Sequence, residues 1–215
     1  MELQNSPPSL AGLSPRASLG TSAAADDCAS VAIESLHPTQ FTVGYRETAE
    51  KRRQWRDASP IKRQALLELR KVPVVVGPNC VLYALDRHHW LCALNAEGVD
   101  AAPVHVAADL RNLDIVPFWA ELESRGWCHP YDAEGIRRDS GDIPASIAGL
   151  QDDLFRSLAS ALRRAGGFDK NPTLFSEFHW ADYLRRQISR ACVEENFAVA
   201  IEKALQLCGD RLATA

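Results

Sequence analysis

The apolar positions change period several times along the chain, and those changes mark out its elements. Residues 1–30, MELQNSPPSLAGLSPRASLGTSAAADDCAS, carry few large apolar side chains among Ser, Ala, Pro and Gly, too little to offset the entropy of ordering, and predict a disordered leader. From Val31, VAIESLHPTQ predicts a short strand and a turn around Pro38. VGYRETAEKRRQWRD follows with helical character and a basic end. Ser59-Pro60 places a capping side chain before a proline at a first helical position and launches IKRQALLELR as a second helix.

In KVPVVVGPNCVLYALD two β-branched runs flank Gly77-Pro78-Asn79, the turn chemistry of a strand hairpin. Asp86 is placed to cap a helix running to about Glu97 and stopping at Gly98; AAPVHVAAD reads as another strand. Beyond Leu110 the strand signals fade. VPFWAELESRGW predicts a helix stopped at Gly126, HPYDAEGIRRDSGDIPASIAGL a long loop, and DDLFRSLASALRRAGG a helix ending at Gly166. Asn171-Pro172 starts TLFSEFHWADYLRRQISR, and VEENFAVAIEKALQLC forms one closing helix. The expected organisation is a leader (1–30), an α/β domain (31–112) and a helical extension (113–215), an α+β class without internal repeats.

Composition narrows the function. The 215 residues are 46% hydrophobic and 24% charged, enough for a sizeable core, and the net charge of −4 supplies no overall field toward a polyanion. Arginine outnumbers lysine 19 to 5, a bias toward planar contacts with carboxylates or phosphates. Six scattered cysteines without a CxxC pair signal neither a zinc ribbon nor a disulfide framework. With no basic leader joined to an apolar run and no long apolar span, a cytoplasmic protein without a membrane partner is expected.

VLYALDRHHWLCAL, residues 81–94, is the richest stretch. The first amides of a helix point outward unpaired and its dipole favours negative charge, so Asp86–His89 can cradle a phosphate with Arg87, His88 and His89 as donors. Consecutive helical residues stand about 100° apart, so one histidine reaches such a site while the other packs. The plainer alternative is an ordinary N-cap with partly exposed histidines. A metal reading pairs His88 with Cys92 and Asp86 with His89 on helix faces, with His105 and His37 as distant completions. Cys92 reads as packing, and Cys80 has no base near it in sequence. Glu177, His179 and Asp182 sit on an aromatic-rich helix that reads as core around a satisfied histidine, and EKRRQWR reads as a solvated face.

With LHPTQFTVGYRE, VVVGPNCVLYALDRHHWLCALNAEG and DDLFRSLASALRRAGGF, residues 31–190 resemble the putative ParB-like nuclease family, whose hallmark is a Pro-Thr-Gln turn followed by an Asp-x-His-His strand–helix junction. Pro38, Thr39 and Gln40 match the first motif; Asp86, His88 and His89 match the second. The resemblance implies the ParB and sulfiredoxin superfamily fold, in which a Gly-x-Arg-Arg type box surrounds a nucleotide phosphate. DRHHW stands where ParB proteins carry GERRW, so histidines replace arginines and Asp86 replaces glycine. Superfamily members are implied to act as CTP-dependent DNA clamps, as ATP-using reductases of oxidised cysteine, or as kinases of free serine. The expectation is a phosphate-containing small ligand, ATP, ADP or CTP with Mg²⁺, held by Thr39, Gln40, Arg46 and Arg87. Asp86, His88, His89 and Glu47 are the candidate catalytic groups for phosphoryl transfer, with Glu47 or Asp86 as base. The alternatives are a nuclease or DNA-binding partition-type protein, disfavoured by the acidic balance, and a non-catalytic effector-binding or protein-interaction domain.

Overall fold

The computed structural model describes residues 30–169 and 175–214, with the backbone only at 210–214. The expected leader and the Asn171-Pro172 helix start lie outside the described residues. The described chain divides into two compact units, 30–157 and the residues from 158 onward. The helix and long loop that follow residue 112 belong to the first unit, so the change of composition after Leu110 is not where the packing divides.

In the first unit, β1 (Ser30–Ala32), β2 (Leu36–Pro38), β4 (Val72–Val76), β5 (Leu82–Ala84) and β6 (Ala101–Asp109) form one sheet in the order β1-β6-β4-β5-β2. β4 and β5 make the expected antiparallel hairpin, with Val75 opposite Tyr83. Its turn is tight because Asn79 and Cys80 both adopt left-handed backbone, φ 56° and 59°. β6 runs parallel to β4 with an irregularity between Val74 and Val75, and β2 parallel to β5. One strand was expected in VAIESLHPTQ; there are two, on opposite edges of the sheet, because a 3-10 turn at Ile33–Ser35 redirects the chain. β3 (Thr42–Val43) pairs with β7 (Gln151–Asp152) in a second small sheet.

Three helices position the motifs. α1 (Tyr45–Arg56) starts at Gly44, where a Cβ would lie 2.9 Å from the Ser157 backbone nitrogen, so no larger residue fits without displacing that segment. α2 (Pro60–Leu69) is capped by the Ser59 hydroxyl on the Lys62 amide, as its sequence signature requires. α3 (His88–Ala96) stops before Gly98, φ 70°. Trp90 from α3 packs edge-on against Trp55 of α1 at 5.7 Å inside a core that includes Leu36, Val74, Leu91 and Val104. A second cluster gathers Tyr83 and Val75 with Phe118 and Leu122 of α4 (Ile115–Ser124).

α5 (Leu154–Arg164) crosses the division between the units. In the second unit lie α6 (Ser176–Gln187), α7 (Arg190–Glu195) and α8 (Phe197–Thr214). The single closing helix expected there is broken at Asn196, φ −144° and ψ 82°, while the Ser189 hydroxyl caps α7. Expected inside the core, His179 is exposed instead, because Phe178, Trp180, Tyr183 and Leu184 take the buried face of α6 and Asp182 pairs with Arg185. No helix among the described residues is long and apolar enough to cross a membrane.

Candidate functional site

The two motifs, far apart in sequence, meet at the start of α3. Leu85 closes the hairpin by donating its amide to the Pro73 carbonyl at 2.9 Å. Arg87 then takes a left-handed conformation, φ 69°, and itself occupies the N-cap position without capping by its side chain. This corrects the expectation that Asp86 caps the helix. The sharp turn at residue 87 leaves the Asp86 carboxylate outside, 74% exposed, with the Arg87 Nε 4.0 Å away. The amides of His88, His89 and Trp90 consequently have no hydrogen-bond partner among the described residues; the Leu91 amide is the first to be used, donating to the Arg87 carbonyl. A bulky residue in the left-handed region costs about 1–2 kcal/mol, and such outliers gather at functional sites.

Both histidines turn inward, rather than one reaching outward. The Thr39 amide donates to His88 Nε2 at 3.3 Å and the Gly44 amide to His89 Nε2 at 2.9 Å. A nitrogen that accepts an amide proton carries none of its own, so both rings are neutral and this geometry assigns their tautomers. Burial pushes the His88 pKa down to about 4, against the opposing pull of Asp86 and a hydrogen bond to the Ala84 backbone. Burial and then the Arg156 guanidinium push His89 down to about 3, opposed by Glu47. Nε2 of neither ring is thus available as a donor; the rings act as a clasp between the Pro-Thr-Gln turn and the junction. Thr39 completes the clasp, its hydroxyl donating to the Ala84 carbonyl at 2.9 Å. The Gln40 side chain, also buried, folds back onto the Thr42 carbonyl at 2.6 Å.

Glu47 lies behind His89, its Oε2 3.6 Å from both His89 Nε2 and Arg156 Nη1, its Oε1 3.3 Å from Lys51 Nζ. With His89 neutral, the closeness to Glu47 is not an ion pair. Arg46 stands exposed on the first turn of α1, whose amides are taken: Tyr45 N–H donates to Asp152 Oδ1 at 2.7 Å and Arg46 N–H to Ser157 Oγ at 3.3 Å. The loop after α4 is anchored to the same turn, the His129 amide donating to the Thr39 carbonyl at 2.9 Å.

This pairing of motifs coincides with a known sequence family. The sequence model described as a putative ParB-like nuclease matches residues 29–186. The chain belongs to the ParB-like nuclease family. The chain is also similar to the crystal structure of protein Atu1540 from Agrobacterium tumefaciens, with 43% identity, 84% of this chain and 89% of that chain covered, and a TM-score of 0.79. A comparison with curated proteins gave no match.

In this ParB-like chain one further residue belongs at the junction and carries no sequence motif. Arg70, between α2 and β4, lays its guanidinium over the Trp90 ring, 4.7 Å from the centroid, and donates to Gln54 Oε1 at 2.9 Å. Burial, and then the charge of Arg87, lowers its pKa. Arg70 has no carboxylate partner among the described residues, and its Nη1 is buried without a hydrogen bond. No group of three or more His, Cys, Asp and Glu side chains among the described residues is arranged to hold a metal ion; His105 is exposed and His37 packs on Tyr83 at 5.3 Å.

Proposed function

We propose that this ParB-like protein binds the phosphate end of a small ligand, a nucleoside di- or triphosphate, at the start of α3. The observation that carries the reading is the turn at Arg87, which leaves three amides at 88–90 without a described partner, with the Arg70 guanidinium stacked on Trp90 of the same helical turn and without a described carboxylate partner. Among the described residues Asp86 is the one carboxylate near this pair, 4.0 Å from Arg87 Nε and 74% exposed, so Arg70 and Arg87 together keep a net positive charge, to which a helix N-terminus adds donors and dipole. Bidentate arginine contacts suit phosphate oxygens. In this reading His88, His89, Thr39 and Gln40 are positioning residues that fix the turn against the helix, and Arg87, Arg70 and the amides make the contacts. ATP, ADP or CTP with Mg²⁺ is the ligand class, the metal neutralising phosphate charge that the two arginines leave over.

Phosphoryl transfer to a small hydroxyl acceptor is the reaction such a site would run, with Asp86 as base. Its exposed carboxylate stands at the mouth of the junction, whereas Glu47 is engaged by Lys51 and Arg156. Isothermal titration with Mg²⁺ and ATP, ADP or CTP tests the binding step. Saturable binding that is lost in Arg87→Ala and weakened about tenfold or more in Arg70→Gln supports it, tenfold being the worth of one charge-assisted contact. Absence of binding by all three nucleotides would discard the reading and make cleavage of plasmid DNA, the activity in the family's description, the next assay.

A further inference from the structure

A second hollow in the first unit has different chemistry. It lies between α1, the C-terminal half of α3 and the 3-10 turn at Ile147–Gly149, with a volume of about 430 Å³, toward the small end of small-molecule sites. It exists because small side chains face it, Ala49 from α1 and Ala96 from α3, while Ile147 and Leu150 supply apolar wall.

Its polar groups are few and underused. Arg52 gives only its Nε to Glu97, at 2.7 Å; its two terminal nitrogens make no hydrogen bond with any described residue. Glu97 is shared with Arg56, which contacts both of its oxygens at 2.8 Å, so one carboxylate serves two guanidiniums. The side-chain amide of Asn95, an exposed residue that lines the hollow, has no hydrogen-bond partner among the described residues. The Thr48 hydroxyl is buried without a hydrogen bond, although a threonine in a helix ordinarily has a carbonyl one turn back within reach. Thr48 lines the hollow, and a threonine in a helix has two accessible χ1 rotamers. Cys92, also in the wall, is no nucleophile: burial pushes its thiol pKa up to about 12.

We propose that this hollow binds a small organic carboxylate with an apolar body. The terminal nitrogens of Arg52 take the carboxylate in a two-pronged contact, Asn95 and Thr48 add hydrogen bonds, and the body of the ligand covers Ile147 and Leu150. A neutral ligand of the same shape leaves the Arg52 fork unpaired and loses most of the affinity. The proposal is independent of the phosphate reading, which concerns the other end of α3.

Saturation-transfer NMR with 3-phenylpropionate and its neutral amide, 3-phenylpropanamide, tests it on the full chain. The carboxylate is expected to bind at least about tenfold more tightly than the amide, Arg52→Gln to remove that preference, and Ala96→Phe to abolish binding of both by filling the space. Thermal unfolding monitored by circular dichroism verifies that each variant is folded; Ala96 is exposed, so its replacement spares the core. Should Arg52→Gln fail to fold, Thr48→Val supplies the second reading, with weakened carboxylate binding expected. Equal binding of carboxylate and amide, undiminished binding to Ala96→Phe, or no binding of 3-phenylpropionate would each overturn the proposal.

Discussion

Acid should loosen the clasp at His88 and His89, by an amount that follows from their burial. In the unfolded chain each imidazole titrates near its ordinary value of about 6.5. In the folded protein the values are about 4 and about 3, because the rings are buried and each accepts an amide proton at Nε2. The folded values lie below the unfolded ones, so stability is fully present above pH 6.5 and is lost as pH falls from there toward 4, the unfolded chain binding the extra protons. At pH 5 the unfolded rings are almost fully protonated and the folded rings almost fully neutral. Each histidine then costs about 1.5 × 1.36, or about 2 kcal/mol, and the pair about 4 kcal/mol. That is a large part of the 5–15 kcal/mol typical of a domain. Of the charged neighbours, Glu47 and Asp86 favour the protonated rings, while Arg156 and Lys51 oppose them. Glu97, held at about 2 by Arg56 and Arg52, begins to matter only below its ordinary range and leaves the window from pH 7 to 5 to the histidines. Urea unfolding followed by tryptophan fluorescence at several pH values in that window measures the loss. The double variant His88→Gln/His89→Gln keeps a neutral acceptor at each position and should be less stable at pH 7 and lose most of the pH dependence, the part left belonging to His37, whose pKa burial also lowers. A wild-type midpoint that does not move, or a double variant that keeps the full pH dependence, would refute the assignment of two neutral, amide-accepting rings.

Other expectations are as direct. Arg87→Gly removes the left-handed strain at φ 69° and should raise stability by about 1 kcal/mol in urea melts while removing nucleotide binding; a less stable variant would contradict the strain argument. Gly44→Ala pushes a Cβ to 2.9 Å from the Ser157 backbone nitrogen and should cost about 1–3 kcal/mol in the same melts. Trp90→Leu empties part of the core beneath Arg70 and should cost about 3 kcal/mol in urea melts, together with a weakened nucleotide response, since Arg70 loses the ring it stacks on. Iodoacetamide at pH 8 should label exposed Cys80 ahead of Cys92 and Cys128, whose thiols burial raises to about 12; peptide mass spectrometry gives the order.

How much of this was legible beforehand depends on the range of the forces involved. The hairpin around Gly77-Pro78, the Ser59 cap and the stops at Gly98, Gly126 and Gly166 were readable because turn chemistry and capping act over a few residues. The meeting of the Pro-Thr-Gln turn with the Asp-x-His-His junction came from resemblance, since periodicity says nothing about two segments nearly fifty residues apart. Asp86 misled because Asp is a favoured N-cap; the left-handed residue that displaced it is an arginine, a type that sequence reasoning does not send to positive φ. Helical spacing also misled at His88 and His89, because their rings are held by partners on another segment rather than by their own helix. Arg70 left no sequence signal, being one arginine among many in a chain rich in them, and only tertiary packing brings it over Trp90.

The most direct test of the central claim is a ¹H–¹⁵N correlation spectrum of the protein titrated with Mg²⁺ and ATP, repeated with CTP. A phosphate at the start of α3 would shift the amides of His88, His89 and Trp90 and the Nε resonances of Arg87 and Arg70, saturating together with one affinity. Amides at 88–90 that stay in place while the nucleotide is in excess, or shifts confined to other parts of the chain, would contradict it.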